Sequence, residues 1–185
     1  VYKIKGLSIL GLGQLSLTKV MGLVDKGIDV KNRGEVLEQI RKNFDPVDSI
    51  MLISQAPTDT LDFTSKKTHY GNKLVINATT KSESINLVPP VIPSDLKAID
   101  RRINKWKLLK NTLLVVSVEK DGSDVVKNII YSPLISNIKM VAVVSSDIDV
   151  NNDVEVMWGI FTRFDPGDDI YFNKQEFIGA VPKYS

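Results

Sequence analysis

The stretch 28–46 reads IDVKNRGEVLEQIRKNFDP, and 148–166 reads IDVNNDVEVMWGIFTRFDP, at an offset of 120 positions with no gap. The pattern inside the first copy predicts a helix. Asn32 stands where an N-cap belongs, and Glu35 three residues on completes a capping box. Val36, Leu37, Ile40 and Phe44 then recur on one helical face. Pro46 disfavours helix at the residue before it and ends the run. The second copy repeats each device with Asn152, Glu155, Val156, Met157, Ile160, Phe164 and Pro166.

Extending the comparison to 19–50 against 139–170 gives fourteen identities in thirty-two positions. They fall on cap, apolar-face, turn and breaker positions, whereas outward positions such as Glu38 and Trp158 differ. What repeats is what folding requires. Strands are expected on either side of each helix: KVMGLVD (19–25) and SIMLIS (49–54) in the first copy, KMVAVVS (139–145) and DDIYF (168–172) in the second.

Three further expectations complete the chain. NLVPPVIPSD (86–95) reads as a linker broken by prolines. The run after it carries Leu96, Ile99, Ile103 and Trp106 at helical spacing, predicting a basic helix over 97–110. TLLVVSVEK (112–120) reads as a buried strand, and SDVVKNIIYS (123–132) as a helix capped by Ser123. Alternating strands and helices imply an α/β layered sandwich with a mostly parallel or mixed sheet. The domain reading is a first repeat over 1–85, a Pro-rich linker and basic helix over 86–111, and a second, truncated repeat over 112–185.

Composition narrows the functional classes. The 185 residues carry 24 basic and 22 acidic side chains, a balance that gives no strong field for nucleic acid. There is no cysteine and a single histidine, His69, which excludes disulfides, thiolate chemistry and two-histidine metal sites. No apolar run approaches the roughly 18 residues of a membrane helix. A cytoplasmic location is the expectation. Val1 is not an initiator Met, and the chain reads as a piece of a longer protein.

Few residues suggest chemistry. GLGQLS (11–16) contains Gly-x-Gly, but the glycines precede the strand instead of following it, so a helix ending at Gly11 or Gly13 fits better than a dinucleotide loop. Lys19 and Lys139 open equivalent strands. Each is either solvated or a contact for a phosphate or carboxylate, with Thr18 beside Lys19 as a possible second donor. Asp25, Asp29, Asp48, Asp149 and Asp168 are the short side chains that bond backbone amides in turns. His69 lies in a loop sequence, THYGNK. The basic residues of 97–110 read as a solvated face.

The motifs GLGQLSLTKVMGLVDKGIDV, EVLEQIRKNFDPVDSIML and YGNKLVINATTK occur in the order found in the C-terminal domain of UbiD-type carboxy-lyases, the 3-polyprenyl-4-hydroxybenzoate decarboxylase family. The chain resembles that domain from about Gly11 to Lys81, and 148–172 resembles part of it again. The acidic turn of that family is here DKGIDV and SSDIDV. The second copy makes the chain similar to a longer, menaquinone-linked branch.

The resemblance implies a parent lyase that decarboxylates an aromatic or unsaturated acid with prenylated FMN, Mn and K, in ubiquinone or menaquinone biosynthesis. It implies that the catalytic residues and metal ligands belong to an N-terminal catalytic domain, and that no cofactor is bound to this portion alone. The C-terminal portion lines the cleft and supports a homo-oligomer, dimer to hexamer, with no nucleic acid and no membrane insertion. Lys19, with Thr18 and Gln14 as neighbours, is the candidate for the flavin phosphate. The alternative is a free-standing α/β module for anion or nucleotide binding, or for oligomerisation.

Overall fold

The computed structural model describes residues 6, 8–81 and 87–173. Two three-stranded mixed sheets carry the fold, in orders β1-β3-β2 and β4-β5-β6. The strands are β1 (Val20–Leu23), β2 (Ile50–Pro57), β3 (Tyr70–Asn77), β4 (Ile103–Leu109), β5 (Leu113–Val118) and β6 (Met140–Ser145). The helices are α1 (Arg33–Asn43), α2 (Pro46–Ser49), α3 (Gly122–Ile130) and α4 (Asp153–Arg163). In each sheet the central strand, β3 or β5, has one parallel and one antiparallel neighbour.

The repeated stretch folds the same way twice. Asn32 accepts from Gly34 N and Glu35 N, and Asn152 accepts from Val154 N and Glu155 N. The glutamates reach back, but not to the N-cap backbone. Glu35 takes the Asn32 amide at 2.9 Å and Asp29 N at 3.1 Å; Glu155 takes Asn152 and Asp149 N at the same distances. Asp29 and Asp149 each accept from the backbone two residues on, the turn role expected of them. Asp25 instead accepts from Thr80 N, 55 residues along the chain, and Asp168 pairs with Lys66, so neither has the turn role expected of it.

Those caps fix the entry angle of each helix, and the apolar face then buries. Ile40 and Phe44 pack with Leu74, Ile76 and Ala78 beneath the first sheet. Val156 packs with Leu113, Val115 and Val144 on the second. The two cores share residues. Leu37 and Met140 touch both clusters, and Phe164 and Ile170 of the second copy pack against the first. A third cluster, built on Leu96, Leu114, Val116, Val125 and Ile129, lies on the other side of β5.

Three expectations are corrected. The basic helix over 97–110 is absent: only Leu96–Ala98 is helical, a 3-10 turn capped by Asp95, and 103–109 forms β4. The helical spacing was outweighed by a tight hairpin. Lys110 and Asn111 both adopt positive φ (48° and 51°) at the centre of a turn closed by Thr112 N on the Leu109 carbonyl, within a three-residue connection, 110–112. That turn aligns Leu109 with Leu113 and Leu108 with Leu114.

The strand over 168–172 is also absent. Asp165 and Asp169 close a turn through Asp165 N on Asp169 and Gly167 N on Asp165. In the first copy, β2 is held as a strand by β3; among the described residues nothing plays that part beside 170–172. Finally, the helix after β5 begins at Gly122 behind Asp121 in the left-handed region, with no Ser123 cap. The strand–helix–strand order of 19–54 stands, but β2 runs antiparallel to the sheet's centre, and β3 is the parallel partner of β1. The closing VPKYS (181–185) lies outside the described residues.

One difference between the copies has a clear cause. Asn72 donates to Asp165 at 2.6 Å, and a side chain at Gly167 would collide with Asn72. The equivalent position in the first copy, Val47, is 77% exposed. Gly167→Val is therefore expected to cost about 1–3 kcal/mol by overpacking. Val47→Ala should change stability by less than about 0.5 kcal/mol, as open surface positions do. Urea denaturation of both variants checks the contrast.

Candidate functional site

The motifs with the strongest family flavour meet at one corner. The segment 11–19 leads out of a helical turn that includes Ser8 and Ile9, passes Gly13 at positive φ (49°), and makes a 3-10 turn over Gly13–Leu17. A helix ending near Gly11 and a turn into the strand is the arrangement the glycines predicted. Lys73 of YGNK, only 2% exposed, then pins this segment by donating to the carbonyls of Ser16 and Thr18. Burial pushes its ammonium below the ordinary lysine value, since here the charge is answered by neutral carbonyls.

Gly71 of the same motif is where the loop 58–69 lies down on β3. A Cβ there would meet Ser65 Oγ at 2.5 Å and Thr58 Cγ2 at 3.0 Å. Within the loop, Asp59 accepts from Leu61 N, and Asp62 accepts from Thr64 N and the Thr64 hydroxyl. His69 sits at positive φ (68°), and its carbonyl closes the loop on Thr58 N. The loop tip presents Leu61 at 74% and Phe63 at 87% exposure.

Lys19 lies under this loop. Its ammonium donates to Asp62 Oδ1 at 2.9 Å, Thr64 Oγ1 at 3.2 Å and the Phe164 carbonyl at 3.1 Å, and stands 5.5 Å from the Phe164 ring centroid. Burial alone would push the Asp62 carboxyl up. The hydrogen bonds from Thr64 and Lys19 outweigh it, so the group lies below the ordinary carboxylate value. Asp62 Oδ2 is buried without a partner.

Lys139, the equivalent of Lys19, does the reciprocal thing. It donates to the carbonyl of Phe44, at 3.3 Å. Each repeat therefore sends the lysine that opens its strand to the carbonyl that ends the other repeat's helix. Cations are favoured there by the unsatisfied carbonyls of a helix C-terminus. Lys139 lacks the carboxylate that Lys19 has, and burial, partly opposed by Asp45, pushes its ammonium down.

Of the three residues singled out for a phosphate, Thr18 gives its carbonyl to Lys73, Gln14 is exposed on the 3-10 turn, and Lys19 has all three N–H groups engaged. Among the described residues no three His, Asp or Glu side chains gather as metal ligands, so they do not fit a Mn site. No helix among them is long and apolar enough to cross a membrane. Sequence reasoning missed Lys73 and Asp62. The YG-x-K spacing was visible, but not the carbonyls that it holds.

Removing Lys19 leaves Asp62 buried and unpaired, so Lys19→Met is expected to cost about 3 kcal/mol. Lys139→Met loses one bond to a neutral acceptor, about 1 kcal/mol. Equal losses in urea denaturation would contradict the asymmetry. The acid response follows in sign. Asp62 lies below its unfolded value of about 3.9, so its contribution is complete above roughly pH 4 and is lost as pH falls through the folded value. Asp62→Asn should thus flatten the stability profile below about pH 4; an unchanged acid limb would argue against the pair.

The sequence comparisons agree with this anatomy. The family described as the 3-octaprenyl-4-hydroxybenzoate carboxy-lyase C-terminal domain matches residues 5–78 and 105–179. An uncharacterised protein of Helicobacter pylori is 30% identical over 94% of this chain and 30% of its own length. One of Aeropyrum pernix is 39% identical over 40% of this chain and 15% of its own. The chain thus spans from about a seventh to under a third of these relatives. Among solved structures, vanillic acid decarboxylase of Sedimentibacter hydroxybenzoicus aligns over 52% of this chain and 21% of its own, at 20% identity and TM-score 0.42. Apo 3,4-dihydroxybenzoic acid decarboxylase of Klebsiella pneumoniae aligns over 44% and 20%, at 17% identity and TM-score 0.35. With the repeated stretches 19–50 and 139–170 both inside the matched spans, the chain belongs to the family of the UbiD-type carboxy-lyase C-terminal domain.

Proposed function

We propose that this chain is the cleft-lining and assembly portion of a prenylated-FMN-dependent aromatic acid decarboxylase of ubiquinone or menaquinone biosynthesis, working in the cytoplasm. The observation that carries this reading is the exposed apolar surface held on a stiff corner. Phe63 and Leu61 protrude from a loop braced by Asp59, Asp62, Lys19 and Gly71, and Leu12 and Leu15 are 61% and 51% exposed on the neighbouring segment. A braced loop tipped with large apolar side chains loses little freedom when it docks, which favours a partner surface over solvent.

In this reading the corner packs on the catalytic portion and its homo-oligomer, dimer to hexamer. Closing water out of the cleft strengthens the electrostatics around a reacting carboxylate. Decarboxylation chemistry, with its flavin, Mn and K, belongs to the catalytic portion. Lys19, Thr18 and Gln14 face the flavin phosphate only if Lys19 exchanges Asp62 for it. A structural brace needs no exchange.

Two measurements test the proposal. The chain alone, supplied with prenylated FMN, Mn and an aromatic acid, should release no CO2; release would overturn the division of labour. Joined to the family's catalytic portion, Phe63→Asp should lower decarboxylation at least tenfold or dissociate the assembly. Unchanged rate and size would remove the docking role.

A further inference from the structure

The outward face of α4 is apolar where its copy is polar. Val154, Trp158 and Phe161 recur at i, i+4 and i+7, one stripe along the helix, and are 60%, 55% and 38% exposed. They lie opposite the side that buries Val156 and Gly159. By the shift of 120 positions their equivalents on α1 are Gly34, Glu38 and Arg41. There Arg41 pairs with Glu38 at 3.5 Å, an ordinary solvated contact three residues apart. The same scaffold therefore meets water without an apolar stripe, so folding does not require one.

Both rings are held in place before any contact is made. Arg163 donates to the two carboxylate oxygens of Asp147 at 2.8 and 2.6 Å, and its guanidinium stands 5.1 Å from the Trp158 ring centroid. The equivalents of this ion pair in the first copy are Asn43 and Gly27, so the brace occurs together with the ring it braces. Phe161 meets Phe164 edge-on at 6.3 Å, and Phe164 packs into the shared core. Aromatic side chains fixed in advance lose little freedom on docking, and Trp and Arg are the residue types that dominate interface energies.

Charge decides the occupant. The first turn of α4 carries Asp153 and Glu155 and its last turn Arg163, with the apolar stripe between them. Such a surface is complementary to itself when turned about a two-fold axis, acidic end against basic end and helix dipoles antiparallel. Centred on Trp158, that rotation sets Asp153 of one copy level with Arg163 of the other. Asp153 is held by Lys107 at 3.0 Å yet stays 51% exposed, so it is open to a second cation. We propose that this face of α4 is an interface between two copies of this chain, packed antiparallel along Val154, Trp158 and Phe161. Three part-exposed side chains offer less than the roughly 800 Å² per partner of a standard interface, so the pairing depends on concentration. It goes beyond the role given to the loop 58–69 and stands apart from it.

Sedimentation velocity of the whole chain over a range of concentrations tests this interface. The chain is expected to pass from monomer to dimer. Trp158→Glu combined with Phe161→Arg, which restores the first copy's residues, should weaken that association at least tenfold and leave the urea midpoint in place. In a Trp106→Phe background Trp158 is the one remaining tryptophan, and its emission should shift to the blue as the dimer forms. Blue emission that does not depend on concentration would mean that another part of the same chain covers the ring, and would overturn the proposal. So would a chain that stays monomeric throughout, or association that survives the double variant. Association lost in Phe63→Asp but kept in the double variant would place the contact at the loop tip and contradict it equally.

Discussion

The exchange of two lysines across the repeat boundary is the constraint on which the rest depends. Lys19 reaches the carbonyl that ends α4, and Lys139 reaches the carbonyl that ends α1. Placing two ammonium groups in a half-buried interface is unfavourable unless each finds acceptors. The arrangement therefore holds only when both helices end where they do. Their ends are set by Pro46 and Pro166, and their beginnings by the Asn32 and Asn152 caps. A feature that in sequence is merely repeated becomes, in space, mutual.

The apolar chemistry follows the same logic. Neither helix buries its face on its own sheet alone: Leu37 contributes to the second core, while Phe164 and Ile170 contribute to the first. Asn72 strengthens the link by donating to Asp165. At Gly167, where the first copy has Val47, a Cβ would meet the Asn72 side chain.

Much of this was legible from residue pattern, and the parts that were not have physical reasons. Caps, breakers and the apolar face of 28–46 are local, so the helix and its copy could be read directly. The 97–110 region could not, because Leu96, Ile99, Ile103 and Trp106 satisfy a helical period while Lys110 and Asn111 specify a hairpin through backbone angles alone. The segment 168–172 has strand-forming residues but is held in a turn by Asp165 and Asp169. At the corner, Lys19 was noticed for its position, yet its partners are 43 and 145 residues away, beyond the reach of any spacing argument. Lys73 was passed over because a buried lysine without a nearby acid has no signature in sequence.

The central claim is that the two repeats form one cooperative body, locked by this mutual exchange. Native-state amide hydrogen exchange in increasing urea tests it most directly. The account requires the slowest amides of α1 and α4 to open with the same free energy and the same dependence on urea. Two well-separated opening energies, one for each repeat, would contradict it.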